Sequence, residues 1–267
     1  REARKRVAAF EDALRAVASR ATRAERRDAE LTALRALTEA RHTRIARRLA
    51  DAAADAALLP DTRIAALGAL PPQGAVADDT ARRVERWIAA AASAQEEALA
   101  RGELGIPIDR RTGEPVTGTP EAAEALREGE SEARVLAAGL TTLAALGHRP
   151  RKPGDLLRPF LESPYDELVV AAVDAARTWE AHDVLPELAQ LLRMYPRENR
   201  WETGAVVHLA GTNASAKAAW MRHFGHPLKQ RARPLVHRAV VACLSALAGA
   251  RIETPEACDA WLAARTR

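Results

Sequence analysis

The chain has 267 residues, 48% of them apolar but only 4% aromatic; it is long enough for a sizeable core or an elongated array, and its Ala- and Leu-rich content argues against a sheet-dominated fold. The net charge of +4 is uneven: residues 1–50 hold 14 basic and 7 acidic side chains, residues 51–132 hold 8 and 16, and the remainder turns basic again, so no continuous basic stripe of the nucleic-acid-binding kind is present. No stretch approaches 18 uncharged apolar residues, so no membrane span is expected, and two cysteines make neither a disulfide framework nor a zinc ligand set.

Residues 1–20 read as a helix with Val7, Phe10, Leu14 and Val17 on one face. A second helix is expected over 23–39, carried by Leu31, Leu34 and Leu37, and a third over 44–56 with Ile45 and Leu49. Pro60 and Asp61 open a helix whose face is Ile64, Leu67 and Leu70, and Pro71-Pro72 ends it. Residues 77–100 are its expected partner, with Val84, Trp87, Ile88 and Leu99 inside. The four Gly and three Pro of 102–120 mark an irregular insertion. A short helix at 121–127 and a longer one at 131–146, with Val135, Leu136, Leu140 and Leu143, resume the pattern before a linker at 148–155.

The stretch 155–196 is the clearest unit. Leu168, Ala171, Ala172, Val173, Ala175, Ala176 and Trp179 define one helical face, with Ser163 and Pro164 at the expected start. Asp183 is positioned to cap a second helix bearing Leu185, Leu188, Leu191 and Leu192. Two such helices cannot bury both faces against each other alone, and they need stacked neighbours. Residues 197–234 have no clean repeat, with helical pieces expected at 201–209 and 214–224. A last strong helix, 235–248, carries Val236, Val240, Leu244 and Leu247 and closes on Gly249; Thr254-Pro255-Glu256 opens a final short one.

Four segments, PDTRIAALGAL, GESEARVLAAGLTTLAALG, SPYDELVVAAVDAARTWEAHDVLPELAQLL and RPLVHRAVVACLSALAG, look like HEAT repeats. That family's pattern is a turn residue, an acidic residue, an apolar residue, often Arg, then two alanines and a leucine. The ending ALAGARIETPEACDAWLAARTR is similar to the last repeat of bacterial HEAT-like proteins. Arg63 and Arg134 fall at or near the family's Arg position, whereas Val169 replaces it in the central unit. The resemblance covers about two thirds of the chain. It implies an all-α fold: a right-handed α-solenoid of about five helix pairs, here one domain over 1–267 with an insertion at 102–120 and a non-repeat element at 197–234. It also implies a binding scaffold without chemistry of its own, exported in some members. The chain starts without Met, so a removed signal and a periplasmic or cell-envelope location stand beside a cytoplasmic one.

Candidate sites concentrate in the non-repeat element, which mixes Trp201, Glu202, Asn213, Lys217, Trp220, Arg222, His223, His226, Lys229 and Arg231. A plain solenoid uses few of these residue types between two helix pairs, and aromatic and Arg side chains supply much of the energy at protein interfaces. The plainer reading is a cap over the end of the core. His223-x-x-His226 has helical ligand spacing, but Gly225 and Pro227 interrupt the helix, so no metal is expected. Ser215 has no placed base; Asn213 or Ser215 serves better as a helix cap. Trp179, Trp201 and Trp220 beside Arg222 and Arg231 suggest a stacking groove, which at the level of fold would resemble HEAT-like DNA glycosylases. Their acidic residue and aromatic set has no residue-by-residue match here. Cys243 and Cys258 lie on the last two helices; a disulfide closing about 15 residues would add on the order of 3 kcal/mol, and two reduced core thiols are the alternative. The function expected is therefore a non-catalytic, monomeric scaffold for a protein or peptide, without cofactor. A nucleic-acid-binding solenoid is the less favoured alternative.

Overall fold

A computed structural model describes residues 2–17, 22–71, 78–101, 120–195, 200–201, 229–230 and 233–265. These residues form an all-α chain. Its helices are α1 (Glu2–Val17), α2 (Arg23–Thr38), α3 (Thr43–Ala54), α4 (Pro60–Gly68), α5 (Asp78–Arg101), α6 (Pro120–Ala145), α7 (Pro153–Leu161), α8 (Asp166–Thr178), α9 (Leu185–Met194), α10 (Pro234–Ala248) and α11 (Pro255–Arg265). A 3₁₀ turn at His182–Val184 precedes α9. Strand residues among those described are confined to β1 (Arg200–Trp201) and β2 (Lys229–Gln230), matching the expected near-absence of sheet.

Local chemistry explains most of the helix ends. Thr22 and Glu25 form a reciprocal capping box on α2. Helices α4, α7, α9 and α10 have proline in their first turn, where no amide donor is needed. Helix α10 ends on Gly249 at φ 63°, a left-handed cap that glycine adopts without a Cβ penalty. The expected core of the central helices is buried throughout: Leu168, Ala171, Ala172, Val173, Ala175, Ala176 and Trp179 on α8, and Leu185, Leu188, Leu191 and Leu192 on α9. Trp87 and Ile64, expected inside, are half-buried.

The described chain divides into two compact units, residues 1–89 with 134–149, and residues 90–133 with 150–267. In the first, α1 packs on α2 and α3 on α4, while α1 also meets α3 and α2 meets α4. In the second, α7 packs on α8 and α9 on α10, while α7 meets α9, α8 meets α10 and α9 meets α11. Each of α1–α4 and α7–α10 thus packs on one chain neighbour and on a helix two positions away. This shifts the expected pairing by one helix. Helix α4 pairs with α3, not with 77–100, and α8 pairs with α7 and α10, not with 185–192. A helical period shows which face is apolar and not which neighbour covers it.

Four further corrections have physical causes. The pieces expected at 121–127 and 131–146 are one helix, α6, running through Gly129. That glycine is no break: a Cβ there would lie 1.9 Å from the Tyr165 hydroxyl oxygen, so its absence admits the ring. The linker ends earlier than expected, since 153–161 forms α7, which buries Leu156, Leu157, Phe160 and Leu161. Ser163 and Pro164 precede α8 without capping it; the cap position is Tyr165, whose amide donates to Ser163 Oγ at 3.2 Å. Asp183 caps a neighbour instead of its own helix: its carboxylate accepts from the Gly154 amide at 2.9 Å, at the N-terminus of α7.

That last contact sets a prediction. Gly to Ala inside a helix ordinarily stabilises by about 0.5–1 kcal/mol. At Gly154, however, a Cβ would sit 2.3 Å from Asp183 Oδ2. Gly154→Ala should therefore destabilise by about 1–3 kcal/mol. The urea midpoint checks it, and a rise would show that the carboxylate moves aside freely.

Candidate functional site

The site begins at Tyr195, just before the non-repeat element, and Arg233, near that element's end. Arg233 is only 7% exposed and holds the N-cap position of α10. Its Nε donates to Asp166 in the first turn of α8, and both terminal nitrogens approach the Ser163 carbonyl at 3.4 Å. Its guanidinium carbon stands 4.6 Å from the centroid of the Tyr195 ring, within cation–π range. The Tyr195 carbonyl is in turn 2.9 Å from His237 Nδ1 on α10. A buried guanidinium requires such a complete set of partners. Just inside this clamp, β1 and β2 pair antiparallel, Arg200 with Gln230 and Trp201 with Lys229. The chain thus leaves the helices after α9 and returns to them before α10 at one place.

Of the ten candidate binding residues, Trp201 and Lys229 are brought together as backbone partners in this strand pair. Glu202, Asn213, Lys217, Trp220, Arg222, His223, His226 and Arg231 lie outside the described residues, as do Ser215, the helices expected at 201–209 and 214–224, and the insertion over 102–119. The stacking groove loses one member, since Trp179 is 3% exposed with its indole nitrogen buried. The sequence reading missed Arg233, Tyr195 and Asp166. The only sequence cue was an arginine before the proline that opens α10, which says nothing of a partner 67 residues earlier.

Arginine pairing recurs across the helices. Arg27 reaches Asp61 at 2.6 Å, Arg47 reaches Asp79 at 3.0 Å and Arg83 reaches Asp51 at 3.0 Å in the first unit. Arg158 meets Glu187 at 2.9 Å, and Arg193 meets Asp259, in the second. Each partly exposed pair contributes little stability, about 0–1 kcal/mol. Together they commit many basic side chains to neighbouring helices. Arg63 is 4% exposed; its Nε donates to the Ala53 carbonyl at 2.8 Å near the end of α3, and it stacks 5.6 Å from the Trp87 ring.

The two cysteines are free thiols, so the disulfide considered from sequence does not form here. Burial pushes Cys243 up to about 12 and also raises Cys258, which keeps both protonated and poorly nucleophilic. Among the described residues no group of three His, Cys, Asp or Glu is arranged to hold a metal ion, and no helix is long and apolar enough to cross a membrane. Compared with known proteins, the chain matches no family model, no curated protein and no solved structure.

Proposed function

We propose that the chain is a HEAT-type α-solenoid of about five helix pairs, serving as a monomeric, non-catalytic scaffold for a protein or peptide. The observation that carries this reading is a repeated spacing. Hydrogen bonds between helices two positions apart join residues 29 apart (Leu59 to Glu30), 32 apart (Thr62 to Glu30 and Arg83 to Asp51) and 29 apart again (Arg158 to Glu187). A contact period of about 30 residues is what stacked helix pairs produce. In the pairing that follows, α1–α2, α3–α4, α5–α6, α7–α8 and α9–α10 are the five pairs and α11 closes the series.

The recognition surface is assigned to the non-repeat element at 197–234. Two features support this. Its ends are clamped by Arg233, Tyr195 and the strand pair, which suits a loop presented on a rigid frame. Elsewhere among the described residues, Leu235, 53% exposed and next to that clamp, is the one large apolar side chain that stands out to solvent.

The test is a triple variant, Lys217→Ala with Arg222→Ala and Lys229→Ala. It should keep the melting temperature within about 2 °C of the parent and weaken capture of a crosslink-identified partner at least about tenfold. Unaltered capture by the folded variant leaves the element a cap. If Trp201 and Trp220 are cap residues, replacing either by Ala should cost about 3–5 kcal/mol. Tight duplex DNA binding with a steep loss on adding salt would favour the nucleic-acid alternative instead.

A further inference from the structure

The first half of α1, the end of α2 and the start of α3 meet at one corner of the first unit. Arg6 of α1 ties two of them together: its Nη1 donates to the Ala36 carbonyl at 2.9 Å and to the Glu39 carboxylate at 2.7 Å, at the C-terminal end of α2. The loop that follows leads directly into α3, where the His42 ring accepts from the Arg44 amide at 3.0 Å. Helix α3 returns to α1 through Arg48, which lies 3.3 Å from Glu11 and 5.2 Å from the centroid of the Phe10 ring. Arg4, Lys5, Arg35, Arg41 and Arg44 lie within a few residues of these contacts. All are exposed, and none forms an ion pair among the described residues.

The carboxylates around them are already taken. Arg6 holds both Glu2 and Glu39, at 3.1 and 2.7 Å. Glu11 is held by Arg48, Asp12 by Arg15 at 2.6 Å, and Asp79 of α5 by Arg47 at 3.0 Å. The corner thus keeps an excess of positive charge that the described fold does not neutralise, and such charges repel one another. A planar guanidinium pairs well with a carboxylate, through two parallel N–H donors. Three features narrow the partner. The positive field stops where those ion pairs begin, so it is a compact patch and not the stripe along which a duplex lies. Phe10, the one Phe, Tyr or Trp of residues 1–50, is 2% exposed and offers no platform for a base. Among the described residues no large apolar side chain stands out beside the patch to enter a bilayer. We infer that this corner docks an acidic segment of a partner protein, whose Asp and Glu side chains pair with Arg4, Lys5, Arg35, Arg41 and Arg44. The surface uses no residue of the non-repeat element, so it stands or falls apart from the recognition role given to that element.

The probe is a fluorescein-labelled peptide of about ten glutamates, followed by fluorescence anisotropy at about 50 mM and about 150 mM salt. Binding should saturate and weaken as salt is added. Arg4→Gln, Arg35→Gln, Arg41→Gln and Arg44→Gln combined should lower the affinity at least about tenfold. The melting temperature should hold or rise, because like charges have been removed. Arg23→Gln, Arg127→Gln, Arg149→Gln and Arg238→Gln combined remove the same charge from exposed positions elsewhere. That variant should lose less than about threefold, since distant exposed charges are screened. Hydrogen exchange on the wild-type chain gives a second reading that needs no variant: the peptide should slow amide exchange at residues 36–46 more than elsewhere. The proposal is overturned by an absence of saturable peptide binding, by equal losses in the two variants, or by protection centred on another segment. Tighter binding to a duplex of about 20 base pairs, or to phosphatidylserine vesicles, than to the peptide would overturn it as well.

Discussion

Glu30→Ala should destabilise the first unit by about 3–5 kcal/mol, the range for removing one partner from a buried charged network. Glu30 is 1% exposed, on α2. Its Oε1 accepts from Arg26 Nε at 2.8 Å; its Oε2 accepts from the Leu59 amide at 3.0 Å and from Thr62 Oγ1 at 2.8 Å. Leu59 is the N-cap of α4, so a carboxylate from one helix satisfies the start of the helix two positions on. Alanine leaves the amide and the fully buried hydroxyl without an acceptor, each costing about 1–3 kcal/mol. Glu30→Gln also loses stability, by about 1–3 kcal/mol, because its amide nitrogen must face a donor on one side. Arg26 is the comparison: its loss leaves the buried carboxylate two neutral donors and no cation, so Arg26→Ala should cost about 1–3 kcal/mol, less than Glu30→Ala. Urea denaturation measures all three, and a Glu30→Ala variant as stable as the parent would show that water replaces the carboxylate at no cost.

Arg233→Ala should cost about 3 kcal/mol and lower the melting temperature by roughly 5–10 °C. The guanidinium joins three elements at once: Asp166 of α8, the Ser163 carbonyl before it, and the Tyr195 ring after α9. Its loss leaves Asp166 without its cation and removes the cover on Tyr195. A double-mutant cycle with Asp166→Asn separates ion pair from packing, and a coupling of about 1 kcal/mol or more is expected between groups in direct contact. Additive single-site effects would remove the pair from the account. Because Arg233 also closes the ends of the non-repeat element, its variant should weaken partner capture indirectly. The Lys217, Arg222 and Lys229 variant should do so without any change in melting.

The contrast between these sites and the helices shows what could be read before folding. The buried faces of α8 and α9 were legible residue by residue, from Leu168 to Trp179 and from Leu185 to Leu192. So were the all-α class, the proline start of α4, and the left-handed cap at Gly249. Each is decided within a turn or two of chain, by a 3.6-residue period, a fixed proline φ or a missing Cβ. Tertiary structure decided whatever depends on partners about 30 residues or more away. It set which helix covers which face, shifting the pairing by one. It turned Asp183 from a cap of its own helix into a cap for α7, and it made Gly129 the seat of the Tyr165 ring inside a continuous helix. It also brought Arg233 to Asp166 across 67 residues. Local sequence carries no record of such approaches, because hydrogen-bond acceptors and apolar faces are alike along the chain, and only packing selects which of them meet.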